Sequence, residues 1–355
     1  LDSIGISAVH RIYSFDNRTA LEALANVRYY MIRKEFTQNL PYGFSKYKEY
    51  STKAHKYTIY KNDYPLSIGY TYDKYNEEYE KLSAIEKQQV MLESAVLDTK
   101  NVKSLEKGDI KSVSDKIKYG TVTVKDTDGV IVKEDRIRSK KEESTLTLSY
   151  EKKKGYEAYL MLDGVTTKKP RIKAKISTDD MEKNIVLRNN DLTYALGRDS
   201  YLINLGYSDT SESEDVIFTI PIKAKINYSD VKVCYVPMDD YVSQIEERNE
   251  ESLQNVLTDK NNEVSGNVTL SSDKVMVFSI PYSSGWKAYV DGKETSVFRA
   301  NTMYMGINLT KGSHKVVLRY NSPGLHLGMM ASAAGIIIWI LLAVVSKKKK
   351  QKGNQ

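Results

Sequence analysis

An uninterrupted apolar run covers residues 327–345, LGMMASAAGIIIWILLAVV, and the basic stretch SKKKKQK follows it directly. At a rise of about 1.5 Å per residue, about 20 apolar residues span the roughly 30 Å hydrocarbon core of a bilayer. We therefore predict a transmembrane helix over residues 325–345 and a basic tail over 346–355. Because cytoplasmic loops carry an excess of lysine and arginine, we expect a cytoplasmic C-terminus. The residues that mark this topology are Lys347, Lys348, Lys349 and Lys350.

The rest of the chain is nearly neutral, which excludes some classes of partner. The 355 residues include 53 lysines and arginines against 46 aspartates and glutamates, a formal net charge of +7. Without the five lysines of the tail, 48 basic residues face 46 acidic ones. Binding of nucleic acid or of a bulk polyanion through overall charge is therefore not expected. Contacts through tyrosine, amide and hydroxyl groups are favoured over the capture of phosphate.

The lysine count also bears on what precedes the chain. The sequence begins with Leu1, and a single C-terminal span inserted as a tail anchor would leave the large part in the cytoplasm. Since the basic tail predicts the opposite orientation, we expect this sequence to be the C-terminal part of a longer membrane protein with earlier spans. The expected location is the cell membrane, with the bulk of the chain extracytoplasmic.

Hydrophobic patterning predicts an α+β fold. Residues 1–100 mix helical spacing with short strands, and Ser83 and Glu86 have the spacing of a capping box that opens a helix running to about Leu97. From about Gly120, short alternating runs with Asp-Gly turns predict β-sandwiches of jelly-roll-like design. The predicted segments are a mixed α/β region (1–100), a β-sandwich module (101–237), a helical connector (238–264), a second β-sandwich module (265–322), the transmembrane helix (325–345) and the cytoplasmic basic tail (346–355).

No pattern typical of catalysis or metal binding is visible. The sequence lacks a GxSxG elbow, a P-loop and histidine pairs with metal-type spacing. Its one cysteine, Cys234, rules out an internal disulfide and lies in the apolar stretch VKVCYV, which favours a small buried side chain. We therefore expect no catalytic residue, no metal site and no cofactor in this part of the protein.

The sharpest local motif is PYSSGWKAYVDG over residues 281–292. If residues 286–290 form a strand, Trp286 shares an apolar face with Ala288, whereas Tyr289 points the other way. Exposed Trp286, Tyr289 and Tyr282 could stack against sugar rings, and this is the candidate ligand-binding set. The alternative is a core position for Trp286 and a surface strand position for Tyr289. The apolar face favours the core position for Trp286.

Two stretches resemble a known family. The C-terminal run SIPYSSGWKAYVDGKETSVFRANTMYMGINLTKGSHKVVLRYNSPGLHLG, followed by a last span, is similar to the C-terminal end of the YfhO family of bacterial multi-pass membrane proteins. ALANVRYYMIRKE, LPYGF, YTIYKNDYPLSIGY and LSAIEKQQVMLESAV resemble the region that follows that family's membrane bundle. The resemblance covers nearly the whole chain, although the middle sandwich matches in style only.

The resemblance implies a membrane glycosyltransferase of the GT-C type. Such enzymes transfer a sugar from a polyprenyl-phosphate carrier to an envelope acceptor, here a teichoic acid, notably lipoteichoic acid, in Gram-positive bacteria. The implied catalytic acid lies upstream, so this chain would be a non-catalytic accessory or lid region. Its implied partners are the lipid bilayer, the upstream transmembrane bundle, the lipid-linked sugar and the teichoic acid. The alternatives are a membrane-anchored carbohydrate-binding module and a structural scaffold of the cell envelope.

Overall fold

A computed structural model of the chain describes residues 15–35, 40–77, 81–98, 100, 105–189, 191, 199–258 and 262–352, with side chains described as far as residue 344. It is an α+β protein built mostly of antiparallel sheets, with one long C-terminal apolar helix. The predicted fold class is confirmed.

The N-terminal region consists of short helices and strands. Its elements are α1 (Thr19–Leu24), β1 (Tyr29–Arg33), β2 (Phe44–Ser51), β3 (Lys56–Asn62), β4 (Gly69–Tyr72), β5 (Lys74–Asn76), α2 (Ala84–Glu93), β6 (Ala95–Val96), β7 (Glu106–Lys107) and α3 (Ile110–Lys116). Strands β1, β3 and β2 form one antiparallel sheet in that order. Strands β6 and β7 both pair in parallel with β5.

The predicted capping box opens α2, but the helix is shorter than expected. The Ser83 hydroxyl accepts a bond from the Glu86 backbone N–H, and the Glu86 carboxylate accepts one from the Ser83 N–H at 2.8 Å. The helix ends at Glu93 rather than near Leu97. The next residues form β6 instead, because the side chain of the distant Asn301 accepts a bond from the Val96 N–H at 2.9 Å. A tertiary contact therefore overrides the local helical pattern.

A β-sandwich occupies the middle of the chain. Its strands are β8 (Lys118–Thr121), β9 (Thr123–Asp128), β10 (Val130–Lys133), β11 (Arg136–Ser139), β12 (Ser144–Glu151), β13 (Tyr156–Asp163), β14 (Thr166–Thr167), β15 (Arg171–Ser177), β16 (Glu182–Arg188), β17 (Tyr201–Ser208), β18 (Ser213–Ile220), β19 (Lys225–Asn227) and β20 (Asp230–Pro237). One sheet has the order β16-β15-β18-β12-β9, and it packs on the sheet β17-β13-β20-β8. A small sheet, β10-β11-β19-β14, lies beside them.

The alternation of buried and less buried residues along the strands explains why these residues form a sandwich. Along β12, Leu146, Leu148 and Tyr150 are buried while the residues between them are half-buried. They meet inward-facing residues of the other sheet, such as Leu160 and Val233, in one apolar core. A period of two with one apolar face is the pattern that a half-buried strand requires.

A second sandwich precedes the membrane helix. Its elements are α4 (Tyr241–Glu250), β21 (Gln254–Leu257), β22 (Glu263–Leu270), β23 (Lys274–Pro281), β24 (Trp286–Val290), β25 (Lys293–Thr295), β26 (Phe298–Ala300), β27 (Tyr304–Leu309) and β28 (Gly312–Tyr320). Its two sheets have the orders β21-β22-β28-β24-β25 and β26-β27-β23-β4. Helix α5 (Leu325–Lys352) follows. Within the described residues, it is the helix long and apolar enough to cross a membrane, over Leu325–Val344.

The sheets cross the predicted segment boundaries, and the division into six segments stays a prediction. Strand β4 comes from residues 1–100 but pairs with β23 of the second sandwich, with Tyr72 opposite Val275. The predicted connector is helical over α4 and then continues as β21. Its helix is packed rather than free, since Arg248 is buried and donates a bond to the Thr71 carbonyl at 3.1 Å. The first hundred residues therefore contribute a strand to the second sandwich.

Candidate functional site

Trp286 begins strand β24, as the motif predicted, and packs onto the second sandwich. Its strand neighbour Ala288 is fully buried, and the Trp286 ring is half-buried against the same apolar core. The ring centroid of Tyr320, on the adjacent strand β28, lies 5.1 Å away. This environment gives the indole a packing role. Its use as a sugar-stacking platform stays a prediction.

Tyr289 and Tyr282 lie near Trp286 in sequence but do not form one surface with it. Residues 286 and 289 are three apart on a strand, so Tyr289 points to the opposite face of β24. There the Arg319 guanidinium lies 5.3 Å from the Tyr289 ring centroid. Tyr282 is exposed, and the Arg299 guanidinium lies 5.4 Å from its ring centroid. Their roles in sugar binding likewise stay predictions.

The four lysines that mark the predicted topology belong to the last turns of α5. Their side chains lie outside the described part of the structure, and the sidedness of the chain stays a prediction. They are Lys347, Lys348, Lys349 and Lys350.

A more extensive aromatic surface lies on the sheet β1-β3-β2. We call it the aromatic sheet face and define it by Tyr29, Met31, Tyr47, Tyr50 and Tyr57. The first four side chains are 53%, 59%, 54% and 52% exposed. The ring centroids of Tyr29 and Tyr47 lie 5.8 Å apart, and those of Tyr50 and Tyr57 lie 6.5 Å apart. The rings therefore form pairs on an open surface.

Strand register explains why these side chains meet. Tyr50 lies directly opposite Tyr57, so both point to the same face of the sheet. Ile59 follows Tyr57 by two residues on β3 and therefore points to the same face. Met31 pairs with Ile59, which places Met31 on that face too. Tyr47 occupies a register shift in β2, and this extra residue is what allows its ring to reach Tyr29.

The opposite face of this sheet holds it to the rest of the protein. The Tyr30 hydroxyl donates to the Glu22 carboxylate in α1 and lies 3.3 Å from the Asn17 side-chain oxygen. The Tyr30 ring packs edge-on against Phe44, with centroids 5.1 Å apart. Asn62 donates a bond to the Val27 carbonyl at 3.0 Å. Because one face is fastened, the aromatic sheet face is directed outward.

This sheet is also positively charged. Residues 28–35 and 44–62 contain eight lysines and arginines but only two acidic residues, Glu35 and Glu49. Glu49 is engaged by Lys34 and Lys46, each at 2.8 Å, and these bonds lower the pKa of Glu49 to about 2. On the aromatic sheet face, the Lys48 ammonium lies 5.5 Å from the Tyr47 ring centroid. The surface thus combines aromatic rings with cations.

A buried polar network joins α1 to the middle sandwich. The fully buried Glu157 carboxylate accepts bonds from the Thr19 hydroxyl at 2.7 Å, the Asn204 amide at 3.0 Å and the Tyr159 hydroxyl. Gln88 of α2 donates to the Tyr159 oxygen at 3.0 Å. Burial raises the pKa of Glu157, which is the direction expected for a desolvated carboxyl. The network fastens three parts of the chain together and has a structural role.

The described residues contain no group of three or more histidine, cysteine, aspartate or glutamate side chains placed to hold a metal ion. Cys234 is buried, as its sequence context predicted. Burial raises the pKa of its thiol to about 12, so that the reactive thiolate is scarce at neutral pH.

The fold defines a class: an α+β region with sandwich-like sheets, attached to a C-terminal helix able to cross a membrane. A family model described as "Bacterial membrane protein YfhO" matches residues 1–332, and the chain belongs to that family. Aligned over 373 residues, it is 24% identical to the uncharacterized protein YfhO of Bacillus subtilis (strain 168). The alignment covers 99% of this chain and 39% of that protein. The chain therefore spans about two fifths of that relative's length.

Similarities to solved structures are weak. A family GH115 4-O-methyl-alpha-glucuronidase, BtGH115A, is 13% identical with a TM-score of 0.26, over 34% of this chain and 18% of that one. The arabinofuranosyltransferase AftD from Mycobacteria (mutant R1389S) is 15% identical with a TM-score of 0.21, over 51% of this chain and 14% of that one. TM-scores this low carry no argument about function.

Proposed function

We propose that this chain is the extracytoplasmic accessory region of a multi-pass membrane glycosyltransferase. The enzyme would transfer a sugar from a polyprenyl-phosphate carrier to a cell-envelope polymer such as lipoteichoic acid. Membership of a bacterial membrane protein family and a helix able to span the bilayer support this proposal. The catalytic residues would lie in the upstream membrane bundle, and this region would hold the acceptor near the outer mouth of the active site.

The observation that carries the proposal is the aromatic sheet face. Tyrosine rings are apolar on their faces and polar at their hydroxyls, so they stack on sugar rings and hydrogen-bond at the rim. Tyr29 and Tyr47 lie 5.8 Å apart and are both about half exposed, which suits contact with successive units of a polymer. Large contiguous exposed apolar patches, unlike single exposed side chains, mark binding surfaces.

The predicted topology supports the same role. With the C-terminal lysines in the cytoplasm, the sandwiches and the aromatic sheet face would lie on the outer side, where envelope polymers are assembled. A polyprenyl-phosphate donor is confined to the bilayer, so the acceptor must be brought to the membrane surface. A region anchored by α5 meets that need.

A membrane-anchored carbohydrate-binding or scaffold module is the alternative. The aromatic sheet face fits it equally well, because binding a glycan does not require transfer to it. The two functions differ in what the whole protein does to the envelope. Only the transferase changes the sugar content of a polymer.

The test is the sugar content of purified lipoteichoic and wall teichoic acids. We expect a strain lacking the full-length gene to lose one glycosyl substituent, and the whole gene, but not this chain alone, to restore it. Unchanged decoration in the deletion strain would reject the transferase and favour the binding or scaffold module.

A variant tests the aromatic sheet face within that experiment. The full-length gene carrying Tyr29→Ala and Tyr47→Ala should restore less of the substituent than the wild type. Tyr119→Ala is the matched control, because Tyr119 is 49% exposed and a lysine ammonium lies 5.5 Å from its ring, but it belongs to the middle sandwich. Full restoration by the double variant, at normal protein levels, would exclude a role for this face.

A further inference from the structure

The middle sandwich carries a strongly basic cleft of about 700 Å³. It lies along the small sheet that contains β11, β14 and β19, and we call it the basic cleft. Six cationic side chains line it: Arg138, Lys140, Lys168, Lys169, Lys223 and Lys225.

The backbone brings these cations together from three separate stretches of the chain. Arg138 of β11 lies directly opposite Lys225 of β19 in the antiparallel register. Ser139 fixes the loop before β19, since its hydroxyl donates to the Ile222 carbonyl at 2.7 Å and accepts from the Ala224 N–H at 2.8 Å. Like charges directly opposite on neighbouring strands are destabilising. The fold holds them together all the same, and a bound anion would relieve their repulsion.

The cations of the cleft are uncompensated within the described part of the chain. None of the six forms an ion pair there, and no described aspartate or glutamate lines the cleft. Several lysines elsewhere on the same sandwich are paired, among them Lys125 with Asp215 at 2.6 Å and Lys141 with Asp128 at 2.6 Å. What distinguishes the basic cleft is that it gathers six such cations without an acidic residue in its described lining.

We propose that the basic cleft binds a linear polymer with repeated phosphate groups. The proposal rests on the proposed function in taking that polymer to be the envelope acceptor. Six exposed cations spread over three segments suit several spaced phosphates better than one buried anion, and lysine binds phosphate as a mobile point charge. The near-neutral charge of the region outside the tail predicts little capture of phosphate. The basic cleft reverses that expectation locally.

A bilayer surface fits the cleft less well than a polymer. Amphipathic segments that lie in the surface of an anionic bilayer pair their basic residues with apolar side chains that bury at the headgroup boundary. None of the residues lining the basic cleft is among the large exposed apolar residues of the described chain. The cleft is also concave, with Ser139 and Ala224 buried at its lining, whereas a headgroup layer is flat.

The test is direct binding by the full chain in nanodiscs of neutral phosphatidylcholine. The probe is a fluorescently labelled poly(glycerol phosphate) oligomer, with dextran as the neutral polymer, and fluorescence anisotropy gives Kd across a salt series. The variant replaces four lysines of the cleft by glutamine: Lys168→Gln, Lys169→Gln, Lys223→Gln and Lys225→Gln. The control removes the same charge from paired, partly exposed lysines of the same sandwich: Lys125→Gln, Lys141→Gln, Lys175→Gln and Lys232→Gln.

We expect the cleft variant to bind the phosphate polymer at least tenfold more weakly, with a smaller salt dependence, and the control to change less than twofold. Binding of dextran should be the same for the wild type, the cleft variant and the control, because all three keep the aromatic sheet face and dextran carries no phosphate. Equal weakening by both variants would overturn the proposal, since general charge would then explain the binding. Tighter cleft-dependent binding to phosphatidylglycerol vesicles than to the polymer would overturn it in favour of a lipid headgroup site.

The experiments can reject the transferase proposal and the phosphate-binding proposal independently of each other. If deletion of the full-length gene leaves polymer decoration unchanged while cleft-dependent binding is observed, the transferase is rejected and the phosphate site stands. If decoration is lost on deletion but the cleft variant binds as well as the control, the transferase stands and the phosphate site is rejected.

Discussion

Glu22 offers a sharp test of how burial controls stability in this protein. The side chain is buried in α1, and its carboxylate accepts a bond from the Tyr30 hydroxyl. Desolvation raises the pKa of Glu22 from 4.5 to about 7, against the opposing effects of the Tyr30 bond and of the Arg18 charge. Since the folded state holds the proton of Glu22 more tightly than the unfolded chain, the contribution of Glu22 to stability is fully present below pH 4.5 and is lost as pH rises to about 7.

The size of the effect follows from that interval. Each unit of pKa difference corresponds to about 1.4 kcal/mol. Ionisation of Glu22 between pH 4.5 and about 7 should therefore lower the free energy of unfolding by roughly 3 kcal/mol. For the roughly 320 residues outside the membrane helix, with an unfolding entropy of about 2.1 cal/mol/K per residue, that corresponds to a fall in Tm of roughly 4–5 °C. Glu22→Gln keeps an oxygen for the Tyr30 bond but cannot titrate. The difference in stability between wild type and variant should therefore change by that amount across the interval.

The assay is thermal unfolding of the full chain in nanodiscs, followed by circular dichroism at pH 4.5, 5.5, 6.5 and 7.5. Glu157, whose pKa is also raised by burial, is present in both proteins and cancels in the comparison. Glu49→Gln is the control, because Glu49 is exposed and its lysine partners lower its pKa to about 2, below the interval. Parallel wild-type and Glu22→Gln profiles would refute the reasoning.

Three further predictions concern packing and reactivity. Gly306→Val should destabilise the second sandwich by about 1–3 kcal/mol, because a side-chain carbon there would lie 2.6 Å from the Phe298 ring; an unchanged Tm would contradict this. Trp286→Ala should cost about 2–3 kcal/mol, since the ring packs on the core and on Tyr320; a preserved Tm would remove its packing role. Cys234 should resist maleimide in the folded chain at pH 8 and react in guanidinium; rapid labelling of the folded chain would show that the thiol is accessible.

Local patterns predicted much of the fold. The apolar run predicted α5, and the spacing of Ser83 and Glu86 predicted the capping box. The alternation of apolar and polar residues predicted strands such as β12 and β24. These features depend on residues that are close in sequence. The predicted end of α2, near Leu97, was wrong by about four residues, because Asn301, some 200 residues away, binds the Val96 backbone. Such a contact leaves no trace in the local sequence.

The candidate surfaces were harder to predict for the same reason. The basic cleft gathers lysines near residues 140, 168 and 223, and a charge count over the whole chain averages them away. The aromatic sheet face depends on a register shift at Tyr47 that composition cannot reveal. A count of charges by segment shows an excess of cations in residues 44–62, and this local excess is the signal in the sequence that points to the aromatic sheet face.

The pairing of β4 with β23 has a consequence for the order of folding. These strands lie about 200 residues apart in sequence, so the sheet β26-β27-β23-β4 cannot be completed until most of the chain has been made. Until then the backbone N–H and C=O groups of β4 have no strand partner in that sheet, and exposed strand edges are open to wrong pairings. The β4–β23 pairing therefore makes completion of the second sandwich a late event, which leaves strand β4 without its partner while about 200 further residues are synthesised.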